Sequence, residues 1–373
     1  MKPPYRGLTW DHPRGYAALR AAAERDPLIE WNIHPLEGFE SSPIASLCAE
    51  YDLVVLDHPH LGEALAHDCL RPLDEVFEPA DLARIAADTI GREYASYTMA
   101  GRQWALPLDA ATQVMAARAD LLDAEPPADW DAVRALSART GKVAMSLAGP
   151  HAFLSFLSIA AALDPAIDLR DGGRWHAEAV ATEACALLAE LARRSPASVR
   201  GKNPIGLLAH MSTQDDVVLC PLVYGYVNYA SAGLARRLSF HDAPAGAAGV
   251  PGSILGGTGI ALSRRCAVDD ALRAHLLWLM SEPAQTAFIP IHDGQPSHRR
   301  AWNQPPQQMP SPGFYRQTVR TLQAASIRPR HAGYIAFQDQ ASALLRDRLA
   351  ASPPTDLARA LARLHAASHT PGD

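Results

Sequence analysis

The chain has no run of Lys or Arg, no long apolar stretch and no cysteines at metal-ligand spacing. With a net charge of -6, the missing basic run argues against nucleic acid as a partner. The longest near-apolar run, 152–163, is too short to span a bilayer. Five cysteines, Cys48, Cys69, Cys185, Cys220 and Cys266, are scattered, and the odd count leaves at least one free thiol, which leans towards a reducing compartment. Residues 1–6 lead into a strand-like 7–10 with neither an apolar h-region nor a cleavage site. The chain as written is therefore expected to carry no export signal and to be cytoplasmic, or periplasmic if a leader was removed. There is no G-x-S-x-G, and Gly256-Gly257-Thr258-Gly259 precedes a strand and not a helix, so the dinucleotide fingerprint is unmet. No cofactor is expected.

What is present describes a globular protein: 373 residues, 48% hydrophobic and 20% charged, long enough for two domains. Thirty prolines imply rigid connections. The organising stretch is Tyr51 to Glu75. Leu53 to Leu56 reads as a strand buried on both faces, and Asp57-His58-Pro59-His60 stops it, because Pro59 cannot continue the ladder. Residues 61–67 follow as a short helix. Strands at 8–10 and 28–33 alternate with helices at 16–25 and 42–50, the pattern of a parallel sheet covered by helices. A longer helix is expected over 81–97, a strand over 143–147, an apolar helix over 152–163 and another helix over 177–194. Residues 217–220 read as a strand entering the cluster Tyr224, Tyr226 and Tyr229. The Gly/Ala/Pro-rich 243–259 reads as a mobile connector before a strand at 260–263.

Four segments, in order, resemble the extracellular solute-binding proteins of ABC transporters, in the branch that binds sugars and oligosaccharides. They are DLVVLD with LRPLDE in 51–75, GRQWALPLDAATQVMAARADLL at 101–122 with PADWDAVRAL at 127–136, the stretch 256–285, and a tail with Arg328-Pro329 and Tyr334. The resemblance implies an α/β, two-lobed periplasmic-binding-protein-like fold, each lobe a mostly parallel sheet with helices on both faces and a cleft between them. Lobe one would take 1–108 and 258–305, lobe two 109–257 and 306–373. It further implies a monomer that performs no chemistry, closes by hinge motion on a small-molecule ligand (a sugar or a polar acid) and serves an ABC transporter permease.

Three strand ends carry polar clusters that this topology directs to one crevice: Trp10, Asp11, His12 and Arg14; His34 and Glu37; and Asp57, His58 and His60. Carboxylates and imidazoles hold hydroxyls by charge-assisted hydrogen bonds, and they also bind transition metals. The imidazoles of His58 and His60 flank a proline in a turn of unfixed geometry, so hydrogen bonding is the reading taken and no metal site is assigned. A solvated polar loop is the dull alternative. Asp109 either lines a cleft wall or holds the hinge. Gly149 and His151 open a helix whose N–H groups could face a ligand. Tyr224, Tyr226 and Asn228 offer ring faces and an amide, with at least one tyrosine expected in the core. Trp10 is as well suited to core packing as to stacking, whereas Trp175, Trp278 and Trp302 look structural. Gly257 reads as a hinge glycine, and His292 as a rim residue. The rival reading is an enzyme on this fold, a lyase or hydrolase using Asp11/His12 and Asp57/His58 as acid/base pairs, or a cytoplasmic ligand sensor.

Overall fold

The computed structural model describes residues 3–35, 43–170 and 174–369. In chain order the longer elements are β1 (Tyr5–Trp10), α1 (Pro13–Arg25), β2 (Ile29–His34), α2 (Ile44–Glu50), β3 (Leu53–Leu56), α3 (Leu61–Ala66), β4 (Leu70–Arg71), α4 (Pro79–Asp88), β5 (Ala105–Ala117), α5 (Trp130–Thr140), α6 (His151–Leu163) and α7 (Glu178–Arg194). After these come α8 (Pro204–Met211), β6 (Leu219–Tyr224), β7 (Ser239–His241), β8 (Leu255–Ser263), α9 (Asp270–Leu279), α10 (Pro312–Ala324), α11 (Tyr334–Arg348) and α12 (Pro354–Ala367). The chain divides into two compact units. Unit 1 holds 1–110 and 256–312, and unit 2 holds 111–255 and 313–373.

Unit 1 is built on the strand order β2-β1-β3-β8-β5. β1 lies parallel to β2, with Tyr5 opposite Ile29 and Trp10 opposite His34, and parallel to β3, with Leu8 opposite Val54. β8 runs antiparallel to β3, with Gly259 opposite Leu56. The four apolar residues of β3 are buried on both faces because helices cover the sheet on either side. The first three strands are parallel neighbours, so their carboxyl ends share one sheet edge.

In unit 2, β5 pairs antiparallel with β6, Gln113 opposite Tyr224, and with β7, Met115 opposite His241. The core gathers around α6, where Phe153 and Phe156 stack with Trp175, and Trp130, Leu188, Phe337 and Leu361 complete the cluster. α6 is apolar on all sides because α7 and α11 bury it.

Three local expectations differ from the structure. The helix expected over 81–97 stops at Asp88, because the Ile90 N–H turns to the Ser297 carbonyl at 2.8 Å and Gly91 takes φ 56°. The strand expected over 143–147 is reduced to the bridge Val143↔Leu219, with the Ala144 N–H on the Leu219 carbonyl at 2.8 Å and the Met145 N–H, on the other side, bound to Ser195 Oγ at 3.2 Å. Of the segment 243–259 read as a mobile connector, residues 247–249 are exposed, but 251–256 are buried and 255–259 already belong to β8. A Cβ at Gly252 would lie 2.2 Å from the Ala162 nitrogen, so glycine here permits backbone to lie on the end of α6.

Candidate functional site

The edge of unit 1 is set by how β1 enters α1. His12 is the N-cap of α1, and its Nδ1 accepts from the Arg14 N–H at 3.1 Å, with Pro13 at the first helical position where no N–H is needed. An accepting Nδ1 places the imidazole proton on Nε2. Burial, and then the positive charge of Arg14, lower the His12 pKa to about 4, so the ring is neutral at physiological pH. The ring stacks on Trp10, centroids 5.5 Å apart at 15°. Trp10 itself is only 3% exposed, because its indole lies against Gly15, where a Cβ would come within 2.4 Å. Trp10 thus buttresses His12, and among the described residues Asp11, His12, His34 and Asp57 are partly or fully exposed on this edge.

Arg14 and Asp109 form a bidentate pair, Nε to Oδ1 at 2.8 Å and Nη2 to Oδ2 at 2.5 Å, with both side chains buried. Of the two roles open to Asp109, holding the strand is the one its carboxylate is engaged in, and the same pair occupies the Arg14 guanidinium. Beside them, residues 58–60 form a single 3-10 turn closed by the His60 N–H on the Asp57 carbonyl at 3.1 Å. His58 and His60 are buried, so this is no solvated loop. Asp57 Oδ1 stands 3.3 Å from His58 Nδ1, and the His58 ring meets Tyr97 edge-on at 6.2 Å. Tyr97 in turn donates to the Leu56 carbonyl at 3.2 Å. Among the described residues no group of three His, Cys, Asp or Glu is arranged to hold a metal ion.

Second-strand residue His34 is tied to Tyr51, Nε2 to the hydroxyl at 3.2 Å, and Glu37 lies outside the described residues. Gly257 has φ 89° within β8, a conformation that suits glycine. His292 is half-buried, its ring 4.7 Å from Phe288.

In unit 2, Gly149 has φ 55° and its carbonyl accepts from the Arg346 guanidinium, which fixes the turn into α6. His151 is the first residue of α6 and is buried. Its ring lies edge-on to Tyr224 at 5.9 Å. Burial, and then Arg328, lower its pKa to about 3, so it too is neutral. Tyr226 is buried, Tyr224 and Asn228 are half-buried, and Tyr229 donates to the Ile205 carbonyl at 3.2 Å. Among the described residues, the buried atoms His151 Nδ1 and Asn228 Oδ1 have no hydrogen-bond partner. Buried polar atoms are normally satisfied, and of these two the His151 ring is the one that packs against Tyr224.

Arg328 and Arg330, buried on either side of Pro329, were not among the candidates. Arg328 approaches Gln338 Oε1 at 3.4 Å and acts electrostatically on His151. The signal was present in the sequence as an Arg-Pro-Arg run in a break between helices.

A sequence model of bacterial extracellular solute-binding proteins matches residues 45–294. No curated protein matches in sequence. Solved structures that resemble the chain include maltose-bound MalE3 of T. maritima, 17% identical, covering 97% of this chain and 99% of that one at a TM-score of 0.77. A solute-binding protein of an ABC transporter from Agrobacterium radiobacter, in complex with ribitol, is 16% identical over 98% of both chains at 0.78. One from Thermotoga lettingae, bound with α-D-tagatose, is 14% identical over 98% of this chain and 100% of that one, also at 0.78. Together they establish the α/β, periplasmic-binding-protein-like fold.

Proposed function

Since the chain belongs to the bacterial extracellular solute-binding proteins, we propose that it captures a carbohydrate-like ligand, a neutral sugar or polyol, and delivers it to an ABC transporter. The observation that carries this reading is a pair of buried polar atoms in unit 2 without hydrogen-bond partners: His151 Nδ1, whose ring lies edge-on to Tyr224, and Asn228 Oδ1. One ring nitrogen, one amide and one phenol ring suit a molecule with many hydroxyls and an apolar C–H face.

The charge pattern supports a neutral ligand. His12 and His151 are held uncharged by burial, and Arg14 is matched by Asp109. The neutral His12 ring, its Nδ1 taken by the Arg14 N–H, still offers Nε2–H as a donor, and the neutral His151 ring offers a donor or an acceptor, as a hydroxyl requires. The maltose, ribitol and tagatose bound in the similar structures fall in the same chemical class. On this reading the ligand leaves unaltered, and the acid/base pairs considered for an enzyme serve hydrogen bonding.

A thermal-shift screen of the purified protein against neutral sugars, polyols and organic acids tests the proposal. A ligand that binds only the native state raises the melting temperature, by mass action, as its concentration exceeds Kd. Stabilisation by a neutral polyhydroxyl compound that is recovered unchanged after incubation supports the reading. Stabilisation confined to acids, or conversion of the ligand to product, overturns it.

A further inference from the structure

In unit 2 the aromatic core around α6 is continued by imidazoles towards the end of α12. His365, in the last turn of α12, is buried, its ring 4.7 Å from Trp175 and 5.6 Å from Phe337. His369 follows one turn later, 4.6 Å from His365 and 4.1 Å from His331, the half-buried residue that precedes α11. The packing is close, since a Cβ at Gly333 would come within 2.8 Å of the Ser368 carbonyl oxygen. His369 Nδ1 lies 2.9 Å from the His365 carbonyl oxygen, whereas His331 Nε2 is buried without a hydrogen-bond partner. On the far side of Trp175, at 5.7 Å, stands buried His176, neither of whose ring nitrogens has a hydrogen-bond partner. Imidazoles packed in this way serve as neutral rings, and a proton added to one of them is a poorly solvated charge.

We propose that His331, His365 and His369 form an acid-sensitive latch, which holds the end of α12 against the turn before α11 while the rings are neutral and releases it when they are protonated. Cations at these ring separations repel each other strongly where water is scarce. The groups acting on the cluster come from each neighbouring element. Burial, and then His369 and His365 of the α12 end, lower the His331 pKa to about 4. Burial likewise lowers His176 to about 4, with Asp164 after α6 raising it and His365 lowering it. Once the helix end leaves, a ring returns towards its ordinary value near 6.5. Between 6.5 and 4 the released end therefore binds protons that the docked end refuses, so the latch is closed above that window and opens as pH falls through it. A ring whose value rises from about 4 to about 6.5 on release multiplies the open population about 30-fold at pH 5. The family is extracellular, so the surrounding medium sets the proton supply.

Hydrogen exchange of the full chain, read by mass spectrometry at pH 7.5 and pH 5 with the intrinsic amide rates divided out, tests the latch. Exchange over residues 360–369 should be at least about tenfold faster at pH 5, while α10, which carries no histidine, stays protected. His331→Gln and His369→Gln each take one proton out of the opening, so each should cut this pH ratio at least about threefold. His67→Gln, at an exposed position in unit 1, should leave the ratio as it is. A purely structural role for these rings would alter protection at both pH values and leave the ratio alone. An unchanged ratio in the wild type, or a wild-type ratio retained by both variants, overturns the proposal. Should the variants fail to fold, NMR titration of the wild-type imidazoles decides. Ring signals of His331 and His365 that shift below pH 5.5, together with the amides of 360–369, support the latch, and rings that titrate near 6.5 without those amides moving overturn it.

Discussion

Arg14 in the first turn of α1 and Asp109 on β5 meet in a buried bidentate ion pair, although the chain separates them by 95 positions. The pair locks the helix whose N-cap is His12 to the strand that leaves unit 1, and so fixes where the His12 imidazole stands. A buried pair of this kind contributes little net stability compared with apolar replacements, but removing one member strands a charge.

Arg14→Met or Asp109→Leu alone should therefore lower the unfolding free energy by about 3–5 kcal/mol. The double variant should cost clearly less than the sum of the two. Urea unfolding of the four proteins in a double-mutant cycle measures this, and strict additivity would contradict the pair's coupling.

Stability should fall as pH drops from neutral towards 4. Burial lowers the pKa values of His12, His176 and His331 to about 4 and of His151 to about 3, against an unfolded value near 6.5. Between those limits the unfolded chain binds protons that the folded chain refuses, so unfolding becomes easier as pH falls. Each of the well-buried His12, His151 and His176 costs about 1–2 kcal/mol by pH 5, and the half-exposed His331, screened by water, costs less. Urea midpoints at pH 7 and pH 5 check the sign, and an unchanged midpoint would show that these rings are protonated in the native state.

Gly252→Ala should destabilise by about 1–3 kcal/mol, since its Cβ would collide with the Ala162 backbone. Exposed Gly233, with only a distant Ser231 hydroxyl nearby, is the matched control, and its alanine variant should melt within a degree or so of wild type.

Much of unit 1 can be read in the sequence because its signals are local. Leu53 to Leu56 is a short apolar run with a proline-stopped end, and Trp10 to Arg14 is a strand followed by a capped helix with Pro13 in place. Where tertiary contact decides, the sequence misleads. Residues 243–259 look like a loose connector because glycine marks both flexibility and close packing, and at Gly246 and Gly252 only the position of α6 distinguishes them. The 143–147 segment has strand composition, but its pairing stops at the single bridge Val143↔Leu219, and the Met145 N–H on its other side goes to a side chain, Ser195 Oγ. Arg328 and Arg330 flank a proline in a break between helices, where nothing local signals that both side chains are buried and that Arg328 meets Gln338 of α11.

The most direct test of the account is a calorimetric titration of wild type and Asn228→Ala with a neutral polyol or sugar selected in the thermal screen. Saturable one-site binding is expected in the wild type. The variant, lacking the amide that meets a ligand hydroxyl, should bind about tenfold more weakly at an unchanged melting temperature of the free protein. Equal affinity in both proteins, or binding by carboxylated ligands alone, would contradict the claim that this surface recognises a neutral carbohydrate-like molecule.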